Sequence, residues 1–411
     1  MITLSPSQQL ALRLFESKQN LLITGPAGTG KSYLLNHIKG ISKISITAST
    51  GIAAIQIEGM TINAWAGLGV GTDNIVYLAE DIKRREGKPY SRIRNCEILA
   101  IDEISMLSAE VLDQLDYLMQ AVRENSHPFG GVQIVCFGDF LQLPPVKGKF
   151  AFYSKAWKEA NFKVVTLKEV FRQQDAEFVD LLNSLRFGIV EDRHEKIILS
   201  CEKPYRKRKV QPIRLFSTNK KIDTFNNKRF EQLGGSAVAY KAFDTGIEPF
   251  LSQLKSSCLA PEVLELKTGA QVMLLKNVNV GEGLANGLTG VVQECKDDRV
   301  VVDFEEYGES SIERNRWAIT ELQPDGKRIE LASRDQIPLR LCYGMSIHKS
   351  QGMSLNIAEI FLTNIFAPGQ AYVAISRVRS LDGLYLREYK RNKIFPNPDA
   401  VKFYVGNQVN L

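Results

Sequence analysis

The sequence predicts an α/β protein with two parallel sheets, a small insertion in the first sheet and a small β-barrel inserted in the second. Three observations support this fold class. Apolar, strand-like runs alternate with helical stretches in the first part of the chain, and a second alternation follows. The second alternation is interrupted by short strands that are separated by Gly and Asp turns. Alternating strands and helices are typical of parallel sheets with crossover helices, whereas short strands joined by tight turns are typical of antiparallel ones.

The first alternation predicts a domain over residues 1–160. Its strands are expected at residues 21–24, 44–48, 98–102 and 132–138, with a helix from about residue 30. Residues 59–95, between the second and third of these strands, are rich first in Gly and then in charge. We interpret that segment as a small insertion on the sheet.

The second alternation predicts a second domain over residues 161–411. Its strands are expected at residues 164–167, 213–217, 357–362 and 384–386. The inserted β-barrel is expected at about residues 262–337, where QVMLLKN, GVVQEC and RVVVDF are short alternating runs.

The composition argues against several classes of protein. No apolar run reaches the roughly 18 to 20 residues of a membrane span, and the start MITLSPSQQ lacks the order of a secretion signal, so we expect a cytoplasmic, nucleoid-associated protein without a membrane partner. The six cysteines are scattered without a CxxC pair, which favours reduced core residues. The net charge of +6 is weak evidence for a nucleic-acid partner, so motifs must carry that inference.

The most specific motif is LLITGPAGTGKS, a strand, a GxxxxGK[ST] loop and the start of a helix. Such a loop curls so that its N–H groups face the phosphates of a nucleotide, and the following helix N-terminus favours the same negative charge. Lys31 is expected to reach the β and γ phosphates, and the Ser32 hydroxyl is expected to bind Mg²⁺. The predicted nucleotide-binding residues of the loop are Gly25, Pro26, Ala27, Gly28, Thr29, Gly30, Lys31 and Ser32.

An acidic pair follows the strand-like run EILAI. Asp102 can hold Mg²⁺, and Glu103, whose side chain diverges from that of Asp102, can act as general base toward an attacking water. A water-activating carboxylate favours an ATPase over a kinase with an external acceptor.

Three further residues are candidates for contact with the γ-phosphate. Gln142 follows the strand-like run VQIVCFGD, at the carboxyl edge of the predicted first sheet, where nucleotides bind. Arg172 and Arg377 are assigned to the second domain and could act as arginine fingers across an interdomain cleft.

Together these segments resemble the superfamily 1B DNA helicases, and most closely the petite-integration-frequency (PIF) helicase family. LSPSQQ is similar to the family's Q motif, TASTGIAA and GMTINAW to its first DNA-contacting motifs, and residues 112–146 to its signature region. SIHKSQGMSL and GQAYVAISRVRS are similar to its fifth and sixth helicase motifs. The resemblance spans nearly the whole chain.

The resemblance implies roles for further residues. Gln8 would read the adenine, and Gln351 and Gly352 would belong to the nucleotide site. Phe140 and Pro144 would press on DNA bases. The other residues expected at DNA are Thr50, Thr61, Asn63, Thr218, Asn219, His348 and Lys349. Asn63 departs from the family, which often has His at this position.

The resemblance also implies two RecA-like domains with ATP and Mg²⁺ between them and single-stranded DNA running across both. The insertion would hold a wedge that splits the duplex, and the barrel would flank the DNA path. The family moves 5′-to-3′ and unwinds forked DNA, RNA–DNA hybrids and G-quadruplexes, with roles in DNA repair, recombination and telomere maintenance. We expect a monomeric core that can dimerise on DNA.

Two other functions remain open at this point. A RecD-like motor subunit of a larger complex would share the fold and motifs, and an ATP-gated single-stranded-DNA-binding remodelling factor would hydrolyse ATP without unwinding. A GTPase is disfavoured because no NKxD-type guanine motif is found where one would be expected.

Overall fold

The computed structural model describes residues 4–69, 74–206, 208–218, 222–279 and 282–407. The helices are α1 (Pro6–Glu16), α2 (Lys31–Ile41), α3 (Gly51–Gln56), α4 (Ile62–Ala66), α5 (Ile75–Arg85), α6 (Lys88–Asn95), α7 (Ala109–Arg123), α8 (Lys155–Glu159), α9 (Ala176–Arg186), α10 (Asp192–Ser200), α11 (Ile222–Glu231), α12 (Phe250–Ser257), α13 (Gln370–Ile375) and α14 (Pro398–Gly406). The strands are β1 (Leu21–Thr24), β2 (Ser45–Ala48), β3 (Met60–Thr61), β4 (Ile98–Asp102), β5 (Gln133–Phe137), β6 (Lys163–Thr166), β7 (Ile213–Phe216), β8 (Val238–Lys241), β9 (Phe243–Gly246), β10 (Val263–Leu266), β11 (Gln271–Leu274), β12 (Thr289–Cys295), β13 (Arg299–Asp303), β14 (Glu309–Glu313), β15 (Asn315–Leu322), β16 (Arg328–Gln336), β17 (Leu339–Leu341), β18 (Gly344–Ser346), β19 (Ala358–Phe361) and β20 (Leu384–Arg387).

The first sheet is parallel, in the order β3-β2-β4-β5-β1-β6. Strands β1 and β5 are buried along their whole length, as expected for central strands with both faces covered. Because all strands run the same way, the loops after β1, β4 and β5 meet at one edge of the sheet. Helix α1 packs on this sheet and begins with a capping box formed by Ser5 and Gln8.

Two predictions about the first sheet are corrected. The strand predicted at 164–167 to open the second domain is β6, which pairs with β1 and forms an edge of the first sheet, so the boundary predicted at residue 160 is wrong. The insertion predicted at 59–95 begins later, because β3 joins the sheet beside β2 and only α4, α5 and α6 lie outside it.

The second sheet is also parallel, in the order β18-β7-β19-β20. Strands β7 and β18 are neighbours in this sheet, although residues 217–343 separate them in sequence. The predicted inserted unit lies in that interval. Its centre is a five-stranded antiparallel sheet in the order β14-β13-β12-β11-β17, which we call the inserted sheet.

Strands β15 and β16 form a long hairpin outside the inserted sheet, and β16 also pairs with β9. The hairpin lies against the first domain. The Thr320 hydroxyl donates to the carbonyl of Glu58 at 2.6 Å, and Arg328 donates to the carbonyl of Ile44 at 2.7 Å. A buried ion pair between Arg92 of α6 and Glu321 of β15 completes the contact.

The C-terminal helix α14 packs on the first domain, which the prediction of a second domain over 161–411 did not include. Phe403 stacks on Phe152 and meets Phe140 edge to face, and Tyr404 is fully buried in the same core. The described residues contain no helix long and apolar enough to cross a membrane.

Candidate active site

The GxxxxGK[ST] loop follows the buried strand β1 and leads into α2. Gly25 has φ of 141°, and a Cβ there would lie 2.5 Å from the carbonyl oxygen of Leu167, so the loop requires glycine at this position. Lys31 Nζ donates to the carbonyls of Gly25 and Pro26 at 2.7 and 3.0 Å. Burial lowers the pKa of Lys31 to about 8, and an anion beside it would raise that pKa again.

The acidic pair lies at the end of β4. Asp102 Oδ1 accepts from the backbone N–H of Glu103 at 2.9 Å, and Glu103 Oε2 accepts from Gln351 Nε2 of the second domain at 2.8 Å. Burial, and then the charge of Glu103, raises the pKa of Asp102 to about 7; burial also raises the pKa of Glu103. Asp102 is buried and Glu103 is half-buried, and two adjacent carboxylates with raised pKa values fit a divalent cation. The Ser32 hydroxyl is exposed on the loop nearby.

Gln142 lies in the loop after β5, three residues after Asp139, which forms a buried ion pair. Asp139 is fully buried and accepts from Nε and Nη2 of Arg186, each at 2.8 Å. Tyr404 donates to Asp139 at 3.0 Å and shares a hydrogen bond of 2.6 Å with Thr24, the last residue before the phosphate loop. These contacts tie the loops after β1 and β5 to helices α9 and α14.

The two predicted finger arginines meet at the boundary between the two sheets. Arg172 lies in the segment that follows β6, so it is attached to the first sheet. Its predicted assignment to the second domain is therefore wrong. It donates to Ser354 Oγ at 2.8 Å and to the carbonyl of Ser376 at 3.1 Å. Arg377 donates to the carbonyl of Val373 and to Ser376 Oγ, each at 2.9 Å. Burial, and then the charge of Arg377, lowers the pKa of Arg172 to about 9.

A cleft of about 790 Å³ joins these groups, which is within the usual range for small-molecule sites. Of the residues predicted at the nucleotide, those that line the cleft are Ala27, Gly28, Thr29, Gly30, Lys31, Ser32, Glu103, Gln142, Arg172, Gly352 and Arg377. Asp102 lies behind Glu103 and is 8% exposed. The structure therefore brings the Glu103 carboxylate, a lysine and two arginines from distant parts of the sequence to one cavity.

Gln8 lies at the phosphate loop, but its amide is occupied by protein groups. Its Oε1 accepts from the Ser5 N–H at 3.0 Å, and its Nε2 donates to the carbonyl of Thr29 at 3.3 Å. The side chain is 1% exposed. In this geometry Gln8 caps α1 and supports the phosphate loop, and the predicted contact with adenine stays a prediction.

Sequence reasoning missed four residues of the site. Tyr372 accepts from the Ala27 N–H of the phosphate loop at 2.9 Å, and Arg186 holds Asp139. Tyr307 and Arg379 line the cleft beside Arg377. Of these four, only Arg379 could have been found from the sequence, because it lies two residues after Arg377. The other three reach the site through long-range packing.

The residues predicted at DNA divide into three groups. Thr50 and Thr61 are N-cap residues whose hydroxyls accept from Ala53 and Ala64 N–H at 3.3 and 3.2 Å. Helix α3, which Thr50 caps, faces the second domain: a Cβ on Gly352 would lie 3.0 Å from Gln56 Oε1.

A second group is open to solvent at least in part. Thr218 and His348 are exposed, and Asn63, Pro144 and Lys349 are half-buried. Burial lowers the pKa of both His348 and Lys349. Asn219 lies outside the described residues.

The prediction that Phe140 contacts bases is wrong for this structure. Its ring is fully buried and makes edge-to-face contacts with Phe150, Phe152 and Phe403 at centroid distances of 5.6, 4.9 and 5.2 Å. The ring of Phe140 packs in an aromatic core to which the C-terminal helix contributes Phe403. The local sequence GDF does not indicate this contact.

Two models of known protein families match parts of this chain. The model of the PIF1-like helicase matches residues 4–196, and the model of the DNA helicase Pif1 2B domain matches residues 249–294. The second match begins at α12 and extends into β12 of the inserted sheet.

Individual relatives match almost the whole chain. The ATP-dependent DNA helicase PIF1 of Xenopus laevis is 38% identical over 98% of this chain, which spans 64% of that relative. The crystal structure of Pif1 helicase from Candida albicans is 37% identical, with a TM-score of 0.75 over 99% of this chain and 100% of that one. Pif1 from Bacteroides sp in complex with ADP-AlF4 is 28% identical, with a TM-score of 0.87 over 100% of this chain and 98% of that one.

The same Bacteroides protein has been solved in other states. Its unliganded structure matches with a TM-score of 0.86, and its complex with ADP-AlF3 and single-stranded DNA with a TM-score of 0.66. A structure of DNA unwinding at forked double-stranded DNA by two coordinating Pif1 helicases matches with a TM-score of 0.67. The arrangement described here is therefore closer to the unliganded and ADP-AlF4 structures than to those with DNA.

Proposed function

The chain belongs to the PIF1-like helicase family, and from this premise we propose that it is an ATP-dependent DNA helicase that moves 5′-to-3′ on single-stranded DNA and opens forked duplexes. The observation that carries the proposal is the cleft of about 790 Å³, in which Lys31 and Glu103 of one sheet meet Arg377 beside the other. A nucleotide in such a cleft contacts both halves of the molecule, so its hydrolysis can change how the halves sit on a DNA strand.

The residues present fit ATP with a divalent cation. The loop from Gly25 to Ser32 would hold the phosphates, and the Ser32 hydroxyl and Asp102 carboxylate would hold Mg²⁺. The cation supplies positive charge to the phosphates and to the acidic pair. We propose Mg²⁺ because hard cations prefer oxygen ligands of this kind.

Within the cleft, each protein group has a separate task. Glu103, held by the Gln351 amide at 2.8 Å, accepts a proton from the attacking water. Arg172 and Arg377 stabilise the charge that develops on the γ-phosphate, an effect worth about 10³ to 10⁵ in rate for such arginines. Gln142 lines the same cleft and is placed to contact the γ-phosphate.

A DNA path across both halves is supported by hydroxyl groups on the first domain and by a hydroxyl, an imidazole and a lysine on the second. Thr50 and Thr61 lie in the first domain, and Thr218, His348 and Lys349 lie in the second. Backbone, hydroxyl and cationic contacts to phosphates do not depend on base sequence, which suits a protein that moves along a strand. Closure of the cleft on ATP would bring the DNA-contacting residues of the two domains together, and hydrolysis would let the two sets separate.

The proposed partners include forked DNA and a second copy of the chain as well as single-stranded DNA. The fork structure of a relative contains two coordinating Pif1 helicases, and we propose that this chain also uses two copies at a fork. We propose RNA–DNA hybrids and G-quadruplexes as further substrates and a nucleoid-associated location. Unwinding of a hybrid fork and of a folded G-quadruplex, each compared with a plain DNA fork, tests the substrates.

The direct test compares two forked DNAs, one with a 5′ single-stranded tail and one with a 3′ tail, in the presence of ATP. Unwinding of only the 5′-tailed fork, lost in Lys31→Ala, is expected. DNA-stimulated ATP hydrolysis without unwinding of either fork would instead favour a remodelling factor or a motor that needs a partner subunit.

A further inference from the structure

Arg379 shares the nucleotide cleft with Arg377 because of the backbone between them. Val378 forms a parallel bridge with Leu355 and is fully buried. The Leu355 N–H donates to the carbonyl of Arg377 at 2.8 Å, and the Arg379 N–H donates to the carbonyl of Leu355 at 3.1 Å. Arg377 and Arg379, on either side of this buried bridge residue, both line the cleft.

The side chain of Arg379 is held by the inserted sheet. Tyr307 lies in the turn between β13 and β14, and its hydroxyl accepts from Arg379 Nη1 at 3.1 Å. The ring of Tyr307 packs closely on Gly283, where a Cβ would lie 2.1 Å from Cε1 of the ring. Tyr307 is therefore fixed by the inserted sheet and reaches the nucleotide cleft from there.

The guanidinium of Arg379 lacks a carboxylate partner at ion-pair distance within the described part of the chain. The nearby Asp382 is already paired with Arg206 and Arg208. Tyr307 and Arg379 line both the cleft and an adjoining cavity of about 130 Å³, so the side chain of Arg379 borders space on two sides. The guanidinium of Arg379 donates to the neutral hydroxyl of Tyr307 and lines the same cleft as Arg172 and Arg377. Three arginines at one cleft favour the binding of a polyanion.

We propose that Arg379 is a third arginine of the nucleotide site, which binds the phosphates of a nucleoside triphosphate, and that Tyr307 holds it away from them. This inference rests on the proposed ATP-dependent function and adds a residue and a regulatory contact to it. The Tyr307 hydroxyl holds the guanidinium where the cleft meets the adjoining cavity, so Arg379 has to give up this hydrogen bond to move onto a phosphate, and the Tyr307 contact opposes nucleotide binding. Movement of the inserted sheet that carries Tyr307 away would then tighten the nucleotide, and bound nucleotide would loosen that sheet by the same factor.

The test measures equilibrium binding of a fluorescent, non-hydrolysable ATP analogue to the full chain without DNA. Arg379→Gln should weaken binding roughly tenfold, the effect of losing one charge-assisted hydrogen bond. Tyr307→Phe keeps the ring packed on Gly283 but frees Arg379, so it should tighten binding about threefold. In the Arg379→Gln background, Tyr307→Phe should change nothing. Arg299→Gln, on the neighbouring strand β13 and half-exposed, is the matched control for loss of one positive charge.

Steady-state ATP hydrolysis with saturating single-stranded DNA separates the arginines. Arg379→Gln should act mainly on KM, whereas Arg377→Gln should act mainly on kcat. Unchanged analogue binding in Arg379→Gln, or an equal effect of Tyr307→Phe in both backgrounds, would overturn the inference. Nucleotide binding without unwinding would overturn the proposed function alone, and failure of the unsubstituted chain to bind nucleotide would overturn both.

Discussion

Replacing Arg186 with Met should destabilise the protein strongly, because it leaves a buried carboxylate without its cation. Asp139 is fully buried and Arg186 is 4% exposed, and two hydrogen bonds of 2.8 Å join them. Breaking a buried pair of this kind costs about 3–5 kcal/mol, more than the pair itself contributes relative to an apolar replacement. The expected loss in the free energy of unfolding is therefore about 3–5 kcal/mol at neutral pH.

The pH dependence of this loss follows from the pKa of Asp139. Burial opposes ionisation, yet the charge and hydrogen bonds of Arg186 hold the pKa of Asp139 below its ordinary value. In the unsubstituted protein its contribution is therefore present above the unfolded pKa of about 3.9 and is lost only as pH falls toward the lower folded value. In Arg186→Met, burial is opposed more weakly, by the charge of Lys31 and the hydrogen bonds from Leu141 and Tyr404, so the pKa rises. Stability is then lost as pH rises from about 4 toward the raised value, by at most about 1.4 kcal/mol per pH unit.

Unfolding followed through tryptophan fluorescence at pH 5 and pH 8 measures this effect, since Trp157 lies 5.8 Å from the ring of Phe140 in the affected core. The deficit of Arg186→Met should be larger at pH 8. Adding Asp139→Asn should recover part of the stability and remove the pH dependence. Arg193→Met, which removes a largely exposed arginine of α10, should cost little at either pH. A deficit below about 1 kcal/mol, or one equal at the two pH values, would show that Arg186 is not the counter-charge on which the buried Asp139 depends.

Three further substitutions test other contacts. Arg377→Ala should retain nucleotide binding but lower kcat for ATP hydrolysis by about 10³ or more, and normal turnover would show that this arginine is not a finger. Gln351→Ala removes the amide that orients Glu103, so kcat should fall about tenfold in a coupled ATPase assay with little change in nucleotide binding; an unchanged kcat would contradict that role. Glu321→Ala leaves Arg92 buried without its partner and should lower the free energy of unfolding by about 3–5 kcal/mol, whereas replacing both residues with Met should cost clearly less; equal losses in the two variants would contradict the buried-pair argument.

The parts of the site that are local in sequence could be predicted. The phosphate loop is specified by a strand, a glycine pattern and a helix within twelve residues, and the acidic pair is specified by an apolar run that ends at Asp102. The parallel order of neighbouring strands then brings these segments to one edge of the sheet without further information.

The parts that depend on long-range packing could not be predicted. The run at residues 164–167 has the same local pattern whether it joins the first sheet or the second, and only its pairing with β1 decides. Phe140 is equally apolar at a DNA surface and in a core, and Phe403, which is distant in sequence, helps to bury it. Tyr307 reaches the cleft through the placement of the inserted sheet, which no short motif records.

ATP hydrolysis in the shared cleft should drive directional movement along a single DNA strand. Displacement of streptavidin from oligonucleotides biotinylated at one end tests this movement without a duplex. We expect ATP-dependent displacement from the 3′ end, little displacement from the 5′ end, and neither in Lys31→Ala. Displacement from the 5′ end alone would contradict the direction, and no displacement from either end, with DNA-stimulated ATP hydrolysis intact, would contradict movement itself.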